Sequence, residues 1–161
     1  MTSHYKASLD LQAKIITGLF HIMCLFFAFK GMLLPALLLF LTDLVCYFLH
    51  PTGYELNKDE LIIKRPFKPV VIKRNDIEDF VLLTDEQLKW TIRSLGVGGL
   101  FGYFGYFYNR QLGSMLWYTS QRKNRILIRL KNEEKIVISP DDPTLFESLK
   151  WHDRASLRTE E

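Results

Sequence analysis

The chain has little of what enzymes are usually built around. Its 161 residues include two cysteines, Cys24 and Cys46, and both lie inside apolar runs. A disulfide framework is not implied, and small packing residues are the natural reading. There is no Cys-x-x-Cys or His-x-x-x-His pair to hold a metal. The histidines, His4, His21, His50 and His152, are scattered. No Gly-Lys-Ser/Thr phosphate loop occurs, and the glycine-rich stretch fails as a dinucleotide fingerprint because Phe101 stands where its third glycine would fall. Ser139 has no His or Lys beside it to activate its hydroxyl. Asp141 and Asp142 form a carboxylate pair, but a helix start explains them without catalysis. No cofactor is therefore expected, and a non-catalytic role leads. A net charge of +3 is too mild to suggest bulk nucleic-acid binding.

Charge is missing from one region in particular. Over residues 15–49 the only formal charges are Lys30 and Asp43. Two apolar runs, 15–29 and 32–49, are separated by Lys30-Gly31 alone. Each is short for a bilayer crossing, which takes ~20 helical residues, but the first extends back toward Leu11 and the second on to His50. So short a connection makes the two helices antiparallel. A signal peptide would account for the first run only. Helices that are apolar on every side need lipid or a large surrounding protein. Basic residues flank both outer ends: Lys6 and Lys14 before, Lys58, Lys64, Arg65, Lys68, Lys73 and Arg74 after. The connection has only Lys30, so both termini are expected on the cytoplasmic side of a two-pass anchor. His21 and Asp43 fall at similar distances from Gly31, hence at similar depth. A structural contact between the helices, or separate placement at the interface, explains two polar groups in this hairpin; a proton relay or ion site is the sharper alternative.

Beyond the turn-rich junction at 50–53 the pattern changes to short strands. Candidate strands are 54–57, 61–64, 70–73, 77–84, 115–119, 125–130 and 135–139. Asp142 and Pro143 then suit the start of a helix whose apolar stripe is Leu145, Phe146, Leu149 and Trp151. Between the fourth and fifth strands lies an unusual segment. Glycines occupy 96, 98, 99, 102 and 105, aromatics occupy Phe101, Tyr103, Phe104, Tyr106, Phe107 and Tyr108, and no charge occurs from 94 to 109. Such a segment is buried in its own domain, lies at the membrane interface, or meets a protein.

Seven antiparallel strands closed by one C-terminal helix is the layout of the pleckstrin-homology (PH) superfold. The run Gly98-Gly-Leu-Phe-Gly-Tyr-Phe-Gly105, with Leu112-Gly113, Tyr118-Thr119 and Ile138-Ser-Pro-Asp-Asp-Pro143, resembles the signature of a bacterial PH-like family over about residues 54–151. The resemblance implies a fold and no established activity. The resulting expectation is a transmembrane helical hairpin at 1–50, a mainly-β PH-like barrel at 51–152 and a polar tail at 153–161. It would sit in a bacterial inner membrane. Eukaryotic relatives that bind phosphoinositides carry basic residues on the first hairpin turn, whereas here Asn57-Lys58-Asp59-Glu60 is as acidic as it is basic. Strand parity instead returns Lys64, Arg65, Phe67 and Lys68 to the membrane side, with the glycine-aromatic segment beside them. These four are the lipid-contact candidates, worth ~1 kcal/mol per basic residue near an anionic surface. The six aromatics are candidates for a contact with a homo-oligomer or another protein. The alternative function is a small membrane enzyme or transport accessory using His21 and Asp43.

Overall fold

The computed structural model describes residues 2–157, with side chains through residue 150. Trp151 and the polar tail at 153–161 therefore lie outside the described side chains. Among the described residues there are ten strands in two sheets and three α-helices. The first sheet is antiparallel, in the order β1 (Ser3–Lys6), β2 (Gly53–Leu56), β3 (Glu60–Lys64), β4 (Val70–Lys73). The second has the order β5 (Ile77–Leu82), β9 (Ile126–Leu130), β10 (Lys135–Ile138), β8 (Gly113–Thr119), β7 (Gly102–Asn109), β6 (Ile92–Gly99).

All seven expected strands form. The count of seven is corrected to ten, because β1, β6 and β7 add to them. One pairing is also corrected: β10 runs parallel to β8. The connection from β8 to β9 stays at one end of the sheet, so β9 runs against β8 and β10 runs with it. β1 is short and polar and gives no apolar alternation to read. β6 and β7 are hidden by glycine, which is depleted in ordinary strands. Here the glycines are required. Gly96 faces Gly105 across the pair, both at positive φ, and a Cβ on Gly96 would stand 2.3 Å from the Phe104 carbonyl oxygen.

Alternation builds the main core. Tyr54, Leu56, Leu61, Ile63 and Ile72 point inward from the first sheet. They meet Ile126, Ile128, Ile136 and Ile138 from the second. Helix α3 (Thr144–Leu157) closes the open end with Leu145 and Leu149, both fully buried and each stabilising by roughly 2 kcal/mol. Asp142 accepts the Thr144 N–H at 2.9 Å, which starts this helix and holds its carboxyl below the usual range. The opposite face of the second sheet is also covered. Tyr103, Phe107, Met115, Trp117, Leu127 and Val137 pack beneath Leu83 and Leu88 of the β5–β6 connection, and beneath Ala13.

Ala13 belongs to α1 (Leu11–Phe29), which forms a hairpin with α2 (Leu33–Leu49). α1 is long and apolar enough to cross a membrane; α2 is apolar and 17 residues long. Most of their large apolar side chains are exposed. Asp10 caps α1 by accepting the Ala13 N–H at 2.8 Å, and also takes the Tyr103 hydroxyl and the Arg122 N–H, both at 3.2 Å. The helix is thus pinned to the domain where it starts. The chain enters the hairpin from β1 and leaves it into β2, and these two strands are paired neighbours.

Candidate functional site

The glycine-aromatic segment is a β-hairpin, and its turn is where the helices and the domain meet. Gly99 pairs with Gly102, leaving Leu100 and Phe101 as the turn. Phe101 adopts φ +53°, a left-handed conformation that a bulky residue keeps only when its surroundings enforce it. Its N–H donates to Thr17 Oγ1 at 3.0 Å, and the Thr17 hydroxyl donates to the Gly99 carbonyl at 3.4 Å. Gly99 cannot be replaced quietly. Its φ is +125°, and a Cβ there would lie 2.3 Å from Ile16 Cδ1 of α1.

Three rings surround Phe101. His21 of α1 meets it edge-on at 5.9 Å, Tyr47 of α2 at 5.8 Å, and His50 at a tilt at 5.5 Å. His50 Nδ1–H donates to the Tyr47 carbonyl. Burial pushes the His50 imidazole below its usual range, partly opposed by that hydrogen bond. Beneath the turn, Leu100 and Phe104 pack on Cys46, with Phe20, Val97 and Phe101 around them. The turn is therefore gripped by both helices.

Tyr103 and Phe107 share one face of β7 and are buried there, with Phe107 stacked on Trp117 at 4.3 Å between centroids. Phe104, Tyr106 and Tyr108 share the other face, where Phe104 is covered by Cys46 and Phe20 of the helices. Tyr106 and Tyr108 are exposed and Phe101 is partly so. Of the six contact candidates, the two exposed tyrosines are the ones free to meet a partner in this conformation. Beside them, β6 is an edge strand with Ile92 and Leu95 exposed.

His21 and Asp43 are brought together: His21 Nε2 lies 3.1 Å from Asp43 Oδ2. The second oxygen, Asp43 Oδ1, is buried with no partner. Among the described residues no three His, Cys, Asp or Glu side chains are grouped to hold a metal.

The basic loop lies at the base of α2. The Phe67 N–H donates to the Phe48 carbonyl at 3.2 Å, and the two rings approach to 6.5 Å. Phe67 itself is 75% exposed. Arg65 Nε donates to the Lys68 carbonyl at 2.8 Å, and its guanidinium sits over the Tyr118 ring. Lys64 is engaged otherwise: its ammonium binds Glu55, which also takes His4. The available cations of this loop are thus Arg65 and Lys68.

Two residues of the junction escape a reading of the sequence. Asp10 had a signal, an N-cap type immediately before an apolar periodic run. Thr17 had none, because one threonine in an apolar helix more often bonds its own backbone.

A comparison with protein families matches residues 52–152 to the bacterial PH domain. Curated proteins and solved structures gave no match. The matched segment runs from the start of β2 into α3 and takes in both sheets except β1, together with the clasped β6–β7 hairpin. By that match the chain belongs to the bacterial PH domain family.

Proposed function

We propose that this chain is a non-catalytic, membrane-anchored PH-like module that binds or scaffolds a partner from the cytoplasmic face of a bacterial inner membrane. On this reading α1 and α2 cross as a two-pass anchor with both termini cytoplasmic. The helical pair, 11–49, serves as the anchor, and β1 together with residues 51–152 as the binding domain. The observation that carries it is the grip of both helices on Phe101. A domain fixed so firmly to its anchor presents one orientation to the membrane and to anything beside it. Arg65 and Lys68, next to exposed Phe67, face anionic headgroups, and Tyr106 and Tyr108 face a protein or a second copy. Clustering of anchored copies would raise avidity without any new contact.

The test is photocrosslinking in native membranes from a probe at Tyr106 or Tyr108, with a probe at buried Phe107 as the control. Adducts from the exposed positions to protein, including a second copy, are expected. A full-length protein that is monomeric in detergent and yields no adduct from either tyrosine sinks the scaffold reading.

A second reading is favoured by the buried, unpaired Asp43 Oδ1 beside His21. It makes the pair part of a small membrane enzyme or a transport accessory. His21→Ala and Asp43→Asn decide it: if both leave function and assembly intact, that reading is dead.

A further inference from the structure

We infer that the domain does not stand clear of the bilayer: the end carrying Phe67 and the β6–β7 turn is itself seated in the acyl–headgroup boundary of the near leaflet. This rests on the reading of α1 and α2 as a membrane anchor.

The argument begins with length. α1 is held by the domain as far as His21, against Phe101. Residues 22–29 remain, about 12 Å of helix. α2 is gripped at Cys46, Tyr47 and His50. Residues 33–45 remain, about 20 Å. The hydrocarbon core is about 30 Å thick. A domain whose gripped end stopped at the near edge of the hydrocarbon would leave Lys30 and Gly31 short of the far surface, by roughly 10 Å measured along α2 and roughly 18 Å along α1. A lysine near the bilayer centre costs about 3 kcal/mol on insertion scales. Drawing the domain inward by at least the smaller shortfall moves Lys30 toward the far interface. It also carries Phe67, held against Phe48, into the near one.

The chemistry of what would be drawn in agrees. Phe67 is 75% exposed, though it has a hydrogen-bonded place at the base of α2. The hairpin beside it lacks charge from 94 to 109. Arg65 and Lys68 flank Phe67 in the same loop, where headgroup phosphates would meet them. Of the acids near this end, Asp10 and Asp141 accept the backbone N–H groups of Ala13 and Ser8, both at 2.8 Å, Asp142 accepts that of Thr144, and Asp85 pairs with Arg125. A limit on depth follows as well. β6 is a sheet edge, and unpaired backbone groups are not tolerated in hydrocarbon, so the seat is the interface and no deeper.

The test uses the full chain with Cys24→Ala and Cys46→Ala as background. An environment-sensitive fluorophore is attached after Phe67→Cys, Ile22→Cys or Asn132→Cys. Each protein is reconstituted in phosphatidylcholine–phosphatidylglycerol vesicles carrying quencher lipids of known depth. The label at position 67 should lose fluorescence to a shallow quencher, the label at 22 to a deeper one, and the label at 132 to neither. If 22 is quenched and 67 behaves like 132, the domain stands clear of the bilayer: this inference is overturned and the anchor survives. If 22 is not quenched, the anchor reading itself fails and takes the inference with it. The unsubstituted chain provides an independent measurement with a lipid-borne photoreactive carbene probe. Adducts on residues 65–68 as well as on the helices support the seat; adducts confined to the helices overturn it.

Discussion

Thr17 and Phe101, distant in sequence, are joined by one hydrogen bond of 3.0 Å from the Phe101 amide to the Thr17 hydroxyl. The same hydroxyl reaches the Gly99 carbonyl. Thr17→Val keeps the shape and removes both bonds. It leaves the Phe101 N–H of the turn without this acceptor, which should cost about 1–3 kcal/mol. Thermal unfolding of the purified protein in detergent should show a lowered midpoint, and an unchanged midpoint would dismiss Thr17 as the tie.

Gly99 and Gly18 make a matched pair of tests. Gly99→Ala places a methyl at positive φ against Ile16, so a loss above about 1 kcal/mol is expected. Gly18 is helical and has nothing within 4 Å of an added Cβ. Gly18→Ala should be tolerated or slightly stabilising. Equal effects from the two would contradict the close approach of hairpin and helix.

Tyr54 joins the two sheets. Its buried hydroxyl donates to the Tyr118 carbonyl at 2.7 Å and accepts the Ser139 N–H at 3.0 Å. Tyr54→Phe removes one oxygen and orphans two backbone groups, so a loss of about 2 kcal/mol is expected by denaturant unfolding. Tyr5→Phe, which loses a bond to Ser148 in a less buried place, should cost less.

His50 gives the junction a pH dependence. With its folded pKa held down by burial, the unfolded chain takes up more protons in mild acid. Stability is then fully present above the ordinary histidine value of about 6.5 and falls as pH drops below it toward the folded value. Unfolding midpoints measured across that range should fall with acidification, and His50→Gln should flatten the trend. A slope untouched by the substitution would assign it to other groups.

The sequence was most readable where periodicity and composition agree. The apolar helices around Lys30-Gly31, the alternating strands of Leu61 and Ile63, and the Ser-Pro-Asp entry to α3 were all plain. Parity along the strands also led to Phe67 at the base of α2. Less was legible at the site. Gly96, Gly99, Gly102 and Gly105 look like loop residues because strand propensity is judged on side chains, whereas their role is to let backbones approach. Thr17 and Phe101 meet only in three dimensions. So do Lys64 and Glu55, whose pairing withdraws one cation from the basic loop.

The pairing of β1 with β2 has a topological consequence. Lys6 stands opposite Gly53, so the backbone that departs into the helices and the backbone that returns from them are adjacent rungs of one ladder. In chain logic the whole helical pair occupies the place of a tight turn in an ordinary β-hairpin. A dipeptide such as Asn-Gly bridges that gap in other proteins. An Asn-Gly splice from Lys6 to Gly53 thus defines a helix-free relative of this protein, with the seat of Leu9 and Ala13 and the surface of Leu100 and Phe104 beneath Phe20 and Cys46 left to be re-covered.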